Sequence, residues 1–337
     1  MKILLSITLA TSLLTASSLR EDAKNAGLSP IPASQTALLK LIDNPKNPLT
    51  KEKIALGKKL YFDPRLSKSE LISCNTCHNL SEGGDDGLEA SIGHKWTQNP
   101  HHLNAPTVYN AVFNDSQFWD GRAKDLEKQA QGPIQAHPEM AATKTHVVNV
   151  VTSMPAYVNS FQKAYGKDVK ISFEKVTDTI GLFERTLVTP APYDDFLNGQ
   201  DNALSQAQKK GLKTFITLGC ASCHTGVGLG GSMNAINITG TYKYMNVGDF
   251  KGDKNGLVKV PTLRNIAQTA PYFHNGKIWN LKTAIQEMGR IQLGVKINEE
   301  QTKSIETFLH ALTGRKPLLN LPLLPESTQK TPKPELN

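Results

Sequence analysis

The chain is predicted to be all-α and to fold as two similar helical units, on three observations. Apolar residues recur at helical spacing: Phe173, Val176, Ile180, Phe183 and Leu187 step by three and four, as do Ile305, Phe308, Leu309 and Leu312. No stretch alternates convincingly between polar and apolar with a period of two. Finally, Cys74-Asn75-Thr76-Cys77-His78 has a second copy, Cys220-Ala221-Ser222-Cys223-His224, and the lead-ins resemble each other. Leu56-Gly57-Lys58-Lys59-Leu60-Tyr61-Phe62 precedes one copy and Lys210-Gly211-Leu212-Lys213-Thr214-Phe215 the other. Internal self-similarity of this kind marks a duplicated unit.

Both copies read C-x-x-C-H, the spacing that attaches a c-type haem. Two thiols one helical turn apart can bond the two vinyl groups of one porphyrin, and the adjacent imidazole then reaches the iron. The chain has four cysteines, and the two motifs use all of them. The competing readings are a pair of disulfides or one structural zinc site. A disulfide framework needs no histidine after each pair, and a chain of 337 residues can stabilise itself without staples. The expected architecture is therefore two cytochrome c-like domains, each enclosing one covalently bound haem. The boundaries read as a signal peptide over 1–18, a first haem domain over 19–195, a second over 196–315 and a tail over 316–337 docked on the first.

The formal net charge is +8. Basic residues are spread along the chain without interleaved aromatics, which argues against nucleic acid as a partner. Haem propionates would neutralise part of the excess, and basic patches beside a haem edge would steer a small redox partner. Met1-Lys2 followed by the apolar run to Leu14 and the small residues Ala16 to Ser18 reads as a secretory signal. The run is too short, and too broken by Ser6, Thr8, Thr11 and Ser12, for a membrane span. Export agrees with c-type haem attachment, so the mature protein is expected in the periplasm.

In order along the chain, residues 19–48 are polar and proline-punctuated and read as a surface arm leading into the first domain. Thr50 caps a helix that Asp63-Pro64 ends, and Ser81 to Gly87 is a loop by its glycine and aspartate content. Thr189-Pro190-Ala191-Pro192 stops the Phe173 helix and marks the boundary between units. The second unit opens near Ser205. Asn298 caps the last helix with Gln301 reaching back, and Gly314 with Pro317 closes it.

The sixth ligands of the two irons carry the functional question, because methionine raises a haem potential where a second histidine leaves it lower. Met233 sits close after the second motif, in the glycine-rich turn region. Met245 and Met288 compete on spacing alone, and most methionines are core filler. His94 follows Ser91-Ile92-Gly93 on a loop able to bring an imidazole to a haem or take it away. His101 and His102 read as exposed, and His137, His146 and His310 have no partner visible in sequence. His274 lies in an aromatic-flanked turn. Taken alone, Glu139 reads as a solvated helix-start carboxylate and Trp119 as core.

Further segments occur together in a recognisable order. They are Ser91 to His94, Asn104-Ala105-Pro106-Thr107-Val108-Tyr109-Asn110, Phe118-Trp119-Asp120-Gly121-Arg122-Ala123, Gln129 to Met140, Val260 to Asn265, Pro271 to Gly276 and Met288-Gly289. With the two haem motifs, the chain resembles the bacterial di-haem cytochrome c peroxidases over nearly all its length after the signal. The resemblance implies a low-potential peroxidatic haem at Cys74, Cys77 and His78, with His94 as a displaceable distal ligand. It implies a high-potential electron-entry haem at Cys220, Cys223 and His224, with Met288 as sixth ligand. Trp119 would stand between the haems, and Glu139 would be the acid-base group, with Gln129 its polar companion. Asn104, Thr269 and Pro271 would help bind an inter-domain calcium. A homodimer, hydrogen peroxide as substrate and a small c-type cytochrome as donor follow from the same likeness. The loop from His94 to Asn104, which carries His101 and His102, is slightly longer than the family's pattern. Two rivals remain: a MauG-like protein-modifying oxidase, which resembles this chain but carries tyrosine where Met288 stands, and a non-catalytic di-haem electron carrier.

Overall fold

A computed structural model describes residues 16–335, so the greater part of the expected signal peptide lies outside the described residues. The helices are α1 (Ala16–Asn25), α2 (Gln35–Ile42), α3 (Lys51–Phe62), α4 (Cys74–Cys77), α5 (Leu126–Gln129), α6 (Gln131–Gln135), α7 (Lys144–Ser153), α8 (Pro155–Tyr165), α9 (Phe173–Glu184), α10 (Pro192–Leu197), α11 (Gln206–Thr217), α12 (Leu281–Met288) and α13 (Glu299–His310). Their starts follow the capping chemistry. Thr50 Oγ1 accepts from the Lys53 amide. Ser205 with Gln208, and Asn298 with Gln301, satisfy each other's free amides in capping boxes. One two-stranded antiparallel ribbon, β1 (Met233–Ala235) with β2 (Leu257–Lys259), is the exception to the helical reading. Met233 thus lies in a strand rather than a turn. Strands of three residues are too short for alternation to register.

The two units are built on the same crossing. In the first, α3 packs on α9 so closely that a Cβ on Gly57 would lie 2.3 Å from the Thr179 carbonyl oxygen and 2.7 Å from Phe183 Cβ. In the second, α11 packs on α13, and a Cβ on Gly211 would lie 2.1 Å from the Ser304 carbonyl oxygen and 2.8 Å from Phe308 Cβ. One turn on, Tyr61 meets Phe183 with ring centroids 5.4 Å apart and Phe215 meets Phe308 at 5.3 Å. Gly211→Ala is therefore expected to destabilise the protein by about 1–3 kcal/mol, because the facing group is backbone and cannot turn aside. Denaturant unfolding measures this; an unchanged or raised midpoint, the usual result of Gly→Ala in an open helix, would refute the close crossing.

A second repeated element joins the units. Pro106-Thr107-Val108-Tyr109-Asn110 and Pro261-Thr262-Leu263-Arg264-Asn265 share Pro, Thr and Asn at the same spacing. Each threonine hydroxyl donates to a glycine carbonyl, Gly83 in one case and Gly228 in the other, at 2.6 Å. Both asparagines sit in the left-handed region, at φ 62° and 61°, which asparagine tolerates better than most residues. Their side-chain amides converge on one hydroxyl, Thr189 Oγ1, at 2.7 and 2.9 Å. Thr189 lies in the segment read as the boundary between units.

The first core gathers Leu60, Tyr61, Val150, Val176, Ile180 and Phe183. The second gathers Leu212, Phe215, Ile305, Phe308 and Leu312, but also Leu19, Ala23 and Leu28. The surface-arm reading of residues 19–48 is corrected here. Leu19 and Ala23 are fully buried on one face of α1 against the second unit, and the Ile31 amide donates to Asp194 at 2.7 Å. Polar residues on the outer face of α1 masked that stripe. At the other end, the segment after α13 runs over the first unit. Lys58 Nζ donates to the Asn320 carbonyl at 3.0 Å, Arg65 to that of Pro325 at 2.8 Å, and Thr328 Oγ1 to that of Ser153 at 3.0 Å. No helix among the described residues is long and apolar enough to cross a membrane.

Candidate di-haem site

The first motif forms the single turn α4, opened by Ser73, whose amide donates to Thr76 Oγ1 at 3.0 Å. His78 follows, and its Nδ1 lies 3.0 Å from the Pro106 carbonyl oxygen. A carbonyl can only accept, so Nδ1 carries the proton and the Nε2 lone pair is free for iron. Tyr61 fixes the same residue from α3, its hydroxyl donating to the His78 carbonyl at 2.7 Å. The second motif begins with a 3-10 turn, Cys220–Ser222. His224 Nδ1 is 3.1 Å from the Leu229 carbonyl oxygen, so its Nε2 is free in the same way. All four thiols are unpaired. These features fit two c-type haems: two free thiols in each motif, oriented imidazoles and, in the second unit, an apolar cavity.

That cavity, about 210 Å³, is lined by Cys220, Cys223 and His224 together with Phe215, Ile285 and Met288. Met288 ends α12, which Asn280 opens by accepting from the Thr283 amide. Met245 is not among the lining residues; it packs beside Tyr242, and its sulfur accepts from Asn237 at 3.4 Å. The same cavity is walled by Trp119, Asn104, Thr269, Pro271 and His274. Trp119 Nε1 donates to the Asn104 carbonyl at 2.9 Å. The Asn104 side-chain nitrogen donates to the Pro271 carbonyl at 2.6 Å, and its Oδ1 is buried without a partner. Burial, with Lys251 nearby, draws the His274 pKa down to about 4, so this imidazole stays neutral.

Around the first motif, Gly93 lies hard against the backbone ahead of Glu139. A Cβ there would be 2.0 Å from the Pro138 carbonyl oxygen and 2.8 Å from Glu139 Cα. This contact brings the His94 loop and Glu139 together. His94 is buried, its Nδ1 has no hydrogen-bond partner, and burial lowers its pKa. Lys95 and Trp96 follow with φ of 59° and 57°, positions that cost backbone strain. Burial raises the Glu139 pKa, opposed by the charges of Arg122 and His101. Gln129 ends α5, half-buried, and no hydrogen bond joins it to Glu139. Trp119 stands apart from this group, on the wall of the second cavity. The two loop histidines differ: His101 is exposed and bonds Asp249 at 2.8 Å, whereas His102 is largely covered, facing Glu89 at 3.7 Å. The expectation of an exposed His102 is thereby corrected.

Several residues escaped the reading of the sequence. The carbonyls of Pro106 and Leu229 carry no side-chain signal, although the repeated Pro-Thr spacing was visible. Glu184 on α9 is buried with Oε2 unpartnered, and burial, with Glu127 nearby, pushes its pKa up to about 8. In the unfolded chain this carboxyl ionises near pH 4.5. Its contribution to stability is therefore full below that pH and is lost as pH rises through about 8, at about 1.4 kcal/mol per unit. Glu184→Gln is expected to flatten that slope in unfolding experiments from pH 5 to 8. An equally steep decline in the variant would exclude Glu184 as its source.

A duplicated helical frame presenting two oriented C-x-x-C-H histidines defines a c-type cytochrome with two haems. The chain belongs to the di-haem cytochrome c peroxidase family. The model of di-haem cytochrome c peroxidases matches residues 51–202, and that of cytochrome c matches 208–313. The cytochrome c551 peroxidase of Pseudomonas aeruginosa is 44% identical over 342 residues, 97% of this chain and 96% of that protein. The cytochrome c551 peroxidase of Nitrosomonas europaea is 47% identical over 289 residues, 82% of this chain and 85% of that one. A methylamine utilization protein MauG, from Methylorubrum extorquens, is 33% identical over 303 residues, 84% and 85% of the two chains. Among solved structures, a MauG-like protein associated with microbial copper homeostasis superposes with a TM-score of 0.70 at 26% identity, covering 81% of this chain and 92% of that one. The chain is accordingly an oxidoreductase of the cytochrome c peroxidase type.

Proposed function

We propose that the protein is a periplasmic peroxidase that reduces hydrogen peroxide to two waters, with two protons from solvent and two electrons delivered singly by a small c-type cytochrome. Electrons enter at the second haem and are used at the first. The carrying observation is the asymmetry of the two sites. Met288 shares a cavity with His224, whereas the first motif has nearby a buried His94 and a desolvated carboxyl, Glu139, held together through Gly93. When bound, the haems supply the iron redox chemistry. The chain's own residues handle the rest. Glu139 takes a proton from one peroxide oxygen and returns it to the other, and Gln129 orients the substrate. His94 closes the first site until its loop moves. Trp119, tied to Asn104, keeps a rigid π-system on the wall between the units.

Steady-state peroxide consumption with reduced cytochrome c tests this reading. Haem-loaded protein with no turnover, before or after reduction of one haem, would overturn it. For the ligand assignment, Met288→His is expected to lower the potential of the second haem while Met245→Leu leaves it in place. The reverse result would move the ligand to Met245.

An inter-domain calcium at Asn104, Thr269 and Pro271 belongs to the same proposal. The unpartnered Asn104 Oδ1 and the carbonyl of Pro271 are hard oxygen donors of the kind calcium takes. The proposed homodimer has support in Leu318, Leu321 and Leu323, which lie 94%, 81% and 88% exposed in a row on the first unit.

A further inference from the structure

We propose that Lys259 is the charge partner of the second haem's propionates and raises that haem's reduction potential. Lys259 closes β2, where it pairs with Met233, and its amide donates to the Trp119 carbonyl at 2.8 Å. The residue is 4% exposed and lines the cavity that also holds Cys220, Cys223 and His224. Its ammonium makes no hydrogen bond or ion pair with any other described residue. Asp120 is the acid whose charge it feels, but that carboxylate is already held by Arg122 Nη1 at 2.8 and 2.9 Å. Burial accordingly outweighs Asp120 and draws the Lys259 pKa down to about 8.

Charge accounting over the cavity wall leads to the assignment. Lys259 is its one lysine or arginine, and the wall contains no aspartate or glutamate. A haem carries two carboxylates that cannot be buried without compensation, and a buried ammonium without an anion is costly in the same way. Each supplies what the other lacks. Asn234 also faces the cavity and can donate hydrogen bonds, but it brings no charge. A fixed positive charge favours the reduced, less positive state of a nearby iron, so it raises the potential. The Lys259 backbone is tied to that of Trp119, whose side chain walls the same cavity.

The inference rests on a haem bound at Cys220, Cys223 and His224. It is tested without peroxide, so its failure is distinct from failure of the peroxidase reading. Reductive titration of the holoprotein, followed at the haem absorption bands, measures both potentials in wild type, Lys259→Met, Lys259→Gln and Lys259→Arg. The two neutral variants are expected to shift the second haem's reduction equilibrium at least tenfold toward the ferric state, about 59 mV for one electron. Lys259→Arg should stay within about threefold of wild type, and the first haem should not move. An unchanged second potential in either neutral variant that retains two haems would overturn the proposal. So would an arginine variant shifted as far as the methionine one, which would leave Lys259 only a packing role.

Discussion

Replacing Glu139 with alanine is expected to lower peroxide turnover by ~10²–10⁴-fold while both haems remain attached. The size follows from the job. Peroxide gives up a proton at one oxygen and needs one at the other, and a positioned carboxyl can do both. Burial raises the Glu139 pKa and so moves it toward the pH at which such a group works best, while Arg122 and His101 keep the ionised form accessible. The sign of the pH dependence is fixed by this. In the proposed role the carboxylate is the proton acceptor, so kcat/KM should fall as pH falls through the raised pKa. Turnover measured from pH 4 to 8 in wild type should show that acid limb, and Glu139→Gln should lose it along with the rate. An alanine variant within threefold of wild type would assign proton transfer to another group.

Asp194→Ala is expected to cost about 3–5 kcal/mol of stability. Arg264 and Asp194 are 0% and 1% exposed, and two bonds of 2.9 and 2.8 Å join them. Asp194 also accepts from the Ile31 and Ala191 amides, each at 2.7 Å, while Arg264 Nε donates to the Val227 carbonyl at 2.6 Å. Removing the carboxylate strands a guanidinium in the interior and frees the segment before α10. It also loosens the loop from Val227 to Leu229 that orients His224, so the second haem's spectrum should change together with the unfolding midpoint. Replacing both partners by Asp194→Leu with Arg264→Met should be milder than the single change, because no charge is left unpaired. A single variant within 1 kcal/mol of wild type would refute the coupling.

Much of this was legible in the residues. Spacing alone gave both haem motifs, and the caps at Thr50 and Asn298 stand where the side-chain chemistry placed them. Even the similar lead-ins, each with a glycine, carried structural content, since Gly57 and Gly211 prove to be the two close crossings. What escaped was whatever depends on partners distant in sequence. Nothing in α1 announces that Leu19 will meet the second core. Met288 and Met245 were equal on spacing, and only the folded chain puts one of them in the cavity with His224. Lys259 looked like one more basic residue, although a lone lysine inside Leu257-Val258-Lys259-Val260 was a signal that the position is buried for a reason.

The crossed placement of the two chain ends bears on how the halves depend on each other. Residues 19–28 complete the second core, while residues 316–335 lie along the first. Each half is thus finished by a strap from the far end of the polypeptide, although the units themselves follow one another in sequence. A fragment cut between α10 and α11 would leave both products with an open flank: the front piece would lose its tail and the rear piece the helix that seals it. The duplication that supplied two haems has therefore ceased to be modular. Neither copy can be lifted out, exchanged or melted by itself without also unfastening the other.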